Sequence, residues 1–437
     1  MKYFHRTFTC VLVLCIVATV GFAQLTSSRD GKVDPSFGNS GITAVSVDPN
    51  LDFAGVVDLE IAPDGKIVVL GFFQPSGQRV SGLYRFLPNG QIDTSFGENG
   101  LVLLDELPWH VGFAIKVQPD NKVVLAGYKD LRTGSPTFDL MMLRLNADGS
   151  LDTSFGTNGI FLKDLSVGKL NAADELYSLV FQTDGKIVAS GTSDRISGVV
   201  GQDRNLVVIR LTGDGVLDPS FGDNGTFQTP AGKAHSQTFG SRTATALRSD
   251  GKILVGISYG VYLSAEQTLP SQFSDLFSLN SNGTTDSSFS SDGKLELGQG
   301  FDNFQSIHVL PNGKLRTLSG LTRISQIDTS GNLDAGFGTG GHLIASPYYS
   351  GDMAVDGSER SVITAITDTG IFRRFLNNGE LDIKFGRGGI GTTNGGAPYT
   401  YASKLGITDS GDLVMAGIAG PGKRQLIITR HFGKRKL

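Results

Sequence analysis

One eight-residue pattern, Asp-x-Ser-Phe-Gly-x-x-Gly, recurs along this chain and leaves few folds open to it. It reads DPSFGNSG from Asp34, DTSFGENG from Asp93, DTSFGTNG from Asp152 and DPSFGDNG from Asp218. Looser copies follow: DSSFSSDG from Asp286, DAGFGTGG from Asp334 and DIKFGRGG from Asp382. The phenylalanines, Phe37, Phe96, Phe155, Phe221, Phe289, Phe337 and Phe385, are spaced by 59, 59, 66, 68, 48 and 48 residues. Such a period means one supersecondary unit used many times, because a single copy cannot bury its own apolar face.

Two more elements keep step with the first. One is PDGKIVVLG from Pro63, with PDNKVVLAG from Pro119, TDGKIVASG from Thr183, SDGKILVGI from Ser249 and PNGKLRTLSG from Pro311. DGSERSVIT from Asp356 and DSGDLVMAG from Asp409 are weaker versions. The other precedes each Phe motif, as in LYRFLPNGQID from Leu83 and LMMLRLNADGSLD from Leu140. Each unit therefore reads as four short strands A to D, illustrated by FAIKVQ (Phe113), KVVLAG (Lys122), LMMLRL (Leu140) and IFLKDL (Ile160). Asp-Gly and Asn-Gly turns between A and B and again after C are strong hairpin signals. Glycine, 59 of 437 residues, stands at about twice the usual share of ~7%, which argues against helices. The pattern predicts an all-β chain, a seven-bladed β-propeller of four-stranded antiparallel blades.

The ends of the repeat fit each other. The chain stops after a strand C, LIITRHF from Leu426, whereas DPSFGNSGITAVSV from Asp34 supplies a Phe motif and strand D with no strands before them. The expected ring is closed by this N-terminal strand completing the last blade, which leaves no open sheet edge. The blades are expected at about 49–107, 108–166, 167–230, 231–298, 299–346 and 347–393, with 394–437 plus 31–48 as the seventh. The motif resembles the delta-60 repeat, a bacterial β-propeller repeat of about sixty residues whose function is uncharacterised. The resemblance covers most of the chain; it implies a propeller in an exported protein and implies no catalytic residues.

Lys2 and Arg6 precede an apolar run from Phe8 to Ala23 that ends in small residues, the pattern of a secretory signal peptide over residues 1–23. Residues 24–437 are then the mature chain, secreted or periplasmic, with no membrane span expected in it. Both cysteines, Cys10 and Cys15, fall in the leader, so the mature chain has no disulfide and no thiolate chemistry. Losing Lys2 and Arg6 takes 38 basic residues to 36 against 42 acids, a net charge of −6. Lys434-Arg435-Lys436 reads as a solvated tail, and nucleic acid is not an expected partner.

A residue present in every blade is structural first. Asp34, Asp93, Asp152, Asp218, Asp286, Asp334 and Asp382 suit Asx-turns, with the Phe three residues on wedged between blades. Arg85, Arg144, Arg210 and Arg374 stand eight residues before that Asp, and Arg430 holds the same place in the closing blade; they either pair with it or lie over the strand with their heads in water. Asn146-Ala-Asp148-Gly-Ser-Leu-Asp152 faintly resembles a calcium loop, but copies such as PNGQID lack its ligands, so calcium is not favoured and no cofactor is expected. Gly256-Ile-Ser258-Tyr-Gly260 matches a nucleophile elbow only because Gly256 ends a strand B of the repeat. No histidine among His110, His235, His308, His342 and His431 has a close histidine neighbour in sequence, and no metal or catalytic residue is assigned.

Variation concentrates after strands B and D, at 72–82, 128–139, 192–205 and 258–275, and at 104–112, 227–240, 345–352 and 393–402. Trp109, His110, Tyr259, Tyr262, Tyr348, Tyr349, Tyr399 and Tyr401 fall there, with Tyr128 and His235, and are the candidate binding residues on one face of the disc. The reading is an exported, non-catalytic scaffold with a protein or glycan partner. A polysaccharide hydrolase or lyase with acids converging at the central channel is the alternative, with Asp105, Glu106 and Asp352 as suspects. A structural envelope component is the second alternative.

Overall fold

A computed structural model describes residues 29–45, 53–74, 80–105, 110–130, 137–167, 172–194, 204–231, 239–261, 270–300, 303–320, 322–345, 350–365, 370–393, 401–420 and 424–433. Residues 1–23, the expected leader, lie outside them. The described strands form seven antiparallel sheets of four, a seven-bladed propeller. Among these residues no helix is long and apolar enough to cross a membrane.

Blade 1 takes strands Phe53–Ile61, Ile67–Phe73, Val80–Phe86 and Leu101–Leu103; blade 2 takes His110–Val117, Val123–Asp130, Phe138–Leu145 and Ile160–Lys163. Blade 3 is built of Asp174–Phe181, Ile187–Asp194, Arg204–Leu211 and Thr226–Pro230, and blade 4 of Phe239–Leu247, Ile253–Val261, Ser271–Leu279 and Lys294–Gln299. Blades 5 and 6 are shorter: Ser306–Val309, Leu315–Ser319, Arg323–Ile327 and His342–Ile344, then Ser350–Val355, Ser361–Ala365, Ile371–Phe375 and Ile390–Thr392. In blade 7, Tyr401–Ile407, Leu413–Ala419 and Gln425–His431 are joined by Ile42–Val45, which pairs in register from Ile42 with Thr429 to Val45 with Leu426.

Strands B and C are buried on both faces because neighbouring blades cover them, so they read as continuous apolar runs such as Ile67–Leu70. The motif phenylalanines are buried between blades, six of the seven, Phe37, Phe96, Phe155, Phe221, Phe337 and Phe385, at 0% exposure and Phe289 at 1%. Gly149 shows why the turn after strand C needs glycine: its φ is +90°, and a Cβ there would lie 3.1 Å from the Phe96 ring and 2.9 Å from Gly97 N. Burying one such phenylalanine contributes roughly 2–3 kcal/mol.

The repeated aspartates make the turns. Asp152 Oδ1 accepts from Ser154 N at 3.1 Å and from Ser154 Oγ at 2.6 Å, and Asp93 and Asp218 repeat this. Oδ2 accepts from the strand C arginine: Arg85 to Asp93, Arg144 to Asp152, Arg210 to Asp218, Arg374 to Asp382 and Arg430 to Asp34, all at 2.7–2.9 Å. Of the two roles open to these arginines, pairing is the one they fill. Each also donates through Nη1 to a backbone carbonyl in the next blade, as Arg144 does to Gly213 at 2.6 Å and Arg430 to Pro88 at 2.8 Å. The guanidinium lies over the motif phenylalanine, 4.4 Å from the centroid for Arg85 over Phe96. Burial alone would raise the Asp152 carboxyl, but bonds from Ser154, Lys122 and Arg144 hold it far below the usual carboxylate range.

Ring closure rebuilds one of these turns from two remote segments. In blade 2 the turn has Gly149 N donating to Asn146 O at 2.9 Å, while Gly97 N of the preceding blade donates to Asp148 O at 2.8 Å. In blade 7, Gly31 N donates to Phe432 O at 2.6 Å, and Gly386 N donates to Asp30 O at 2.9 Å. Asp30-Gly31 thus stands where Asp148-Gly149 stands, with Gly31 at φ +77°. Arg374 donates to Gly433 O at 2.5 Å and to Asp30 Oδ2 at 3.0 Å, clamping both segments.

Candidate functional site at the central channel

All seven strands A line one cavity of about 420 Å³ on the propeller axis. An inner strand is an edge strand, and its N–H groups need partners. The side chains nine residues before the start of strand B supply some: Asp58, Ala114, Ser178, Ala244, Ser306, Asp352 and Lys404 in blade order. Asp58 Oδ2 accepts from Ile115 N at 2.9 Å, Ser178 Oγ from Thr245 N at 3.0 Å and Asp352 Oδ2 from Leu405 N at 3.1 Å, each in the next blade. The other oxygens accept locally, Asp58 Oδ1 from Leu59 N and Asp352 Oδ1 from Met353 N, both at 2.9 Å. Ser306 Oγ in the same ring is buried without a hydrogen-bond partner.

Blades 6, 7 and 1 put Asp352, Lys404 and Asp58 side by side at this level. Burial pushes the Asp352 carboxyl above the usual carboxylate range, against the pull of nearby Lys404. Two residues further along, Glu60 and Lys116 form an ion pair at 2.5 Å. Burial opposes the charge on Lys116, but Glu60, Asp58 and Asp352 hold its ammonium above the usual lysine range. His308 is pushed down to about 4 by burial and stays neutral, its Nε2 2.9 Å from Met353 O.

The opposite wall is aromatic. Strand A carries a register break in blades 1, 2, 3, 4, 6 and 7. A bulge re-aims the side chain it inserts, and here Phe113 and Tyr177 are the bulged residues that reach the cavity. Their centroids lie 4.9 Å apart, and the stack continues through Tyr128, 5.7 Å from Phe113, to Phe138, 4.5 Å from Tyr128. Tyr177 is fixed by a buried network: its hydroxyl donates to Glu175 Oε2 at 2.7 Å, Arg204 Nη1 donates to the same oxygen at 2.7 Å, and Arg204 Nε donates to Asp194 Oδ1 at 3.0 Å. Burial and the Glu175 charge push the tyrosine hydroxyl well above its usual range. Below the rings the ring positions are small, Ala114, Ser178 and Ala244, which is why space remains there.

None of the described sequence-predicted binding residues is among those lining this cavity. Trp109, Tyr262, Tyr348, Tyr349, Tyr399, His235 and Glu106 lie outside the described residues. His110 opens strand A of blade 2 and Tyr401 opens strand A of blade 7, so both belong to strands and not to the expected loops. Tyr259 is corrected as an exposed candidate: it sits in strand B of blade 4 at 6% exposure, stacked on Phe273 with its hydroxyl 3.0 Å from Asp275 Oδ2. The physical reason is strand length, since strand B there runs on to Val261 and strand C begins at Ser271. Asp105 is exposed just after blade 1, while Asp352 belongs to strand A of blade 6 and reaches the channel. In the loop compared with a calcium site, Asp152 is engaged by Arg144 and Lys122, and Asp148 by Ser150.

Reasoning from sequence missed Phe113, Tyr177, Lys116 and Lys404. For the lysines the signal was a column: counted back from the start of strand B, the ninth or seventh position carries a charged residue in blades 1, 2, 6 and 7, Asp58, Glu60, Lys116, Asp352 and Lys404, and none in blades 3 and 4.

Three stretches, residues 62–96, 118–155 and 182–221, match a family model described as "Domain of unknown function (DUF5122) beta-propeller". Together with the seven blades this places the chain among β-propeller repeat proteins. No curated protein matches it. Among solved structures, a protein of unknown function from Bacteroides caccae is similar at 14% identity and TM-score 0.38, covering 64% of this chain and 80% of that one. The polysaccharide lyase Uly1 is similar at 13% identity and TM-score 0.47, with 91% and 92% covered. An alpha-L-arabinanase from Penicillium chrysogenum, complexed with arabinobiose, is similar at 11% identity and TM-score 0.43, with 90% and 100% covered.

Proposed function

We propose that this chain is an exported, non-catalytic binding propeller of the delta-60 type, which takes a protein or glycan partner on the face carrying the B–C and D–A loops and the channel mouth. The observation that carries the reading is the engagement of the channel acids. Both oxygens of Asp58 and of Asp352 accept backbone N–H groups, and Glu60 is paired with Lys116. An acid–base pair for glycoside chemistry needs a carboxylate free to exchange a proton with substrate or water.

The enzyme reading, a polysaccharide hydrolase or lyase, rests on the raised Asp352 carboxyl. One experiment separates the two: residues 24–437 are incubated with a polysaccharide panel, and thermal midpoint and product release are read on the same samples. Dose-dependent stabilisation without product, RT ln(1 + [L]/Kd) in size, is the expected result. Product release that disappears in Asp352→Asn would replace the scaffold with an enzyme. Export is checked by mass spectrometry of the mature N-terminus, expected at Gln24.

A further inference from the structure

We propose that the channel mouth is a carbohydrate subsite for one uncharged sugar unit, its apolar ring face on Phe113 and Tyr177 and its hydroxyls against Asp58, Lys404 and Asp352. The inference rests on the binding reading above and narrows it to a ligand class.

The argument begins with shape. A cavity of about 420 Å³ falls in the range of small-ligand sites, about 300–1,000 Å³. One wall presents two half-buried aromatic rings, and the floor beneath them is made of Ala114, Ser178 and Ala244. The neighbouring blade brings one acid to the edge of that wall, where Asp58 accepts from Ile115 N, two residues along the strand from Phe113, and Lys404 and Asp352 continue the cavity lining through blades 7 and 6. A ligand seated there meets an aromatic surface on one side and a polar edge on the other. A pyranose ring has that division, with C–H bonds on its face and hydroxyls around its rim.

Hydrogen-bonding capacity points the same way. Each carboxylate oxygen of Asp58 and Asp352 accepts one backbone N–H and has lone-pair capacity left. Lys404, between them in the ring, supplies three donors. Carboxylate, ammonium, carboxylate is a run that accepts from and donates to neighbouring hydroxyls of one sugar.

Charge narrows the class. Glu60 and Lys116 form one ion pair, leaving two carboxyl groups, Asp58 and Asp352, to the single lysine Lys404. A uronate or sulfated sugar would bring a further anion beside two carboxylates in a confined cavity, where repulsion is weakly screened. A neutral sugar meets no such cost.

Preorganisation supports a site over a mere packing defect. Tyr177 is held by Glu175 and Arg204, with Arg204 anchored on Asp194, and burying those charges is expensive unless fixing the ring is useful. Phe113 is gripped between Tyr177 and Tyr128.

The test is calorimetric titration of residues 24–437 with neutral xylo-, arabino-, manno- and cello-oligosaccharides and with acidic galacturonate and alginate oligomers. The same titrations are run on Phe113→Leu, which keeps apolar volume without the ring, and on Lys404→Met, with circular dichroism to confirm folding. At least one neutral series should bind, the acidic series should not, and each variant should weaken binding about tenfold, equivalent to 1.4 kcal/mol. Acidic oligomers binding more tightly than neutral ones, no neutral series binding at all, or binding unchanged in both variants would each overturn the inference. The failures are separable: a protein partner captured with no sugar bound ends the subsite and keeps the scaffold, while bound sugar that is also cleaved ends the scaffold and keeps the subsite.

Discussion

Blades 1 to 3 and blades 4 to 5 solve one problem in different ways. In the first group the strand C arginine reaches across the interface to a turn carbonyl of the next blade: Arg85 to Ala147, Arg144 to Gly213 and Arg210 to Ser281. Blade 4 has Ser278 in the arginine's place and blade 5 has Gln326. Yet the corresponding carbonyls still receive guanidinium donors. Thr329 O accepts from Arg248, in the turn after strand A of blade 4, at 3.1 Å, and Asn377 O accepts from Arg316, on strand B of blade 5, at 3.0 Å. The aspartates are compensated too, Asp286 by Lys252 at 2.7 Å and Asp334 by Lys314 at 2.7 Å. What persists is the need of an interfacial carbonyl for a donor. The arginine's place on the chain is negotiable.

The comparison breaks hardest at Arg316, which is fully buried and bonds Glu359 O, Ser361 Oγ, Gln326 Oε1 and Asn377 O. Arg316→Leu strands these acceptors and should cost about 4–5 kcal/mol in urea unfolding. A loss below about 1 kcal/mol would mean that Arg316 does not replace the strand C arginine. Next come the phenylalanines beneath. Phe155 lies 4.9 Å from the Arg144 guanidinium, whereas blade 4 has serine at that position in strand C. Phe155→Ala should therefore cost about 4 kcal/mol and Phe289→Ala about 0.5–1 kcal/mol less.

Blade 7 sharpens the contrast through pH. Its strand C ends in His431, where blades 2 to 4 have Leu145, Leu211 and Leu279. Burial pushes His431 down to about 4, and the ring packs 4.8 Å from Phe372. The unfolded chain titrates near 6.5, so between about 6.5 and 4 it binds the extra proton and stability falls as pH falls. The sign is that of a base buried neutral. Wild type should lose about 3 kcal/mol from this group between pH 7 and pH 4, a loss absent in His431→Leu and measurable by unfolding both proteins at the two pH values. The smallest effect belongs to Arg248→Ala, under about 1 kcal/mol in wild type for a hydrogen bond near the surface. In a Ser278→Arg background the loss should shrink towards zero, because the restored arginine competes for Thr329 O.

Much of this fold is written in its repeats. Phe motifs, Asp-Gly turns and apolar B strands recur in register, and a four-stranded antiparallel blade is the unit that uses all of them. The substitutes were hidden because Arg248 and Arg316 sit outside the strand C column that holds the other arginines, Arg316 within PNGKLRTLSG itself, and converge on the interface only in space. The channel was hidden for another reason. FAIKVQ and LYSLVF read as ordinary alternating strands, and only the register break turns Phe113 and Tyr177 inward. Tyr259 misled in the opposite direction, since strand B of blade 4 extends past the glycine that seemed to end it.

The turn shared by Asp30-Gly31 and Phe432-Gly433 also imposes a timetable. A ribosome releases Asp30 about 400 residues before Phe432. Through that interval Phe385 lacks its covering glycine and Arg374 lacks both of its remote acceptors. The early blades have their partners at hand as they appear, whereas the last interface must wait for the Phe432-Gly433 segment. Emergence of that segment is thus the event that seals the ring, and it carries the contact that Asp30-Gly31 has been waiting for.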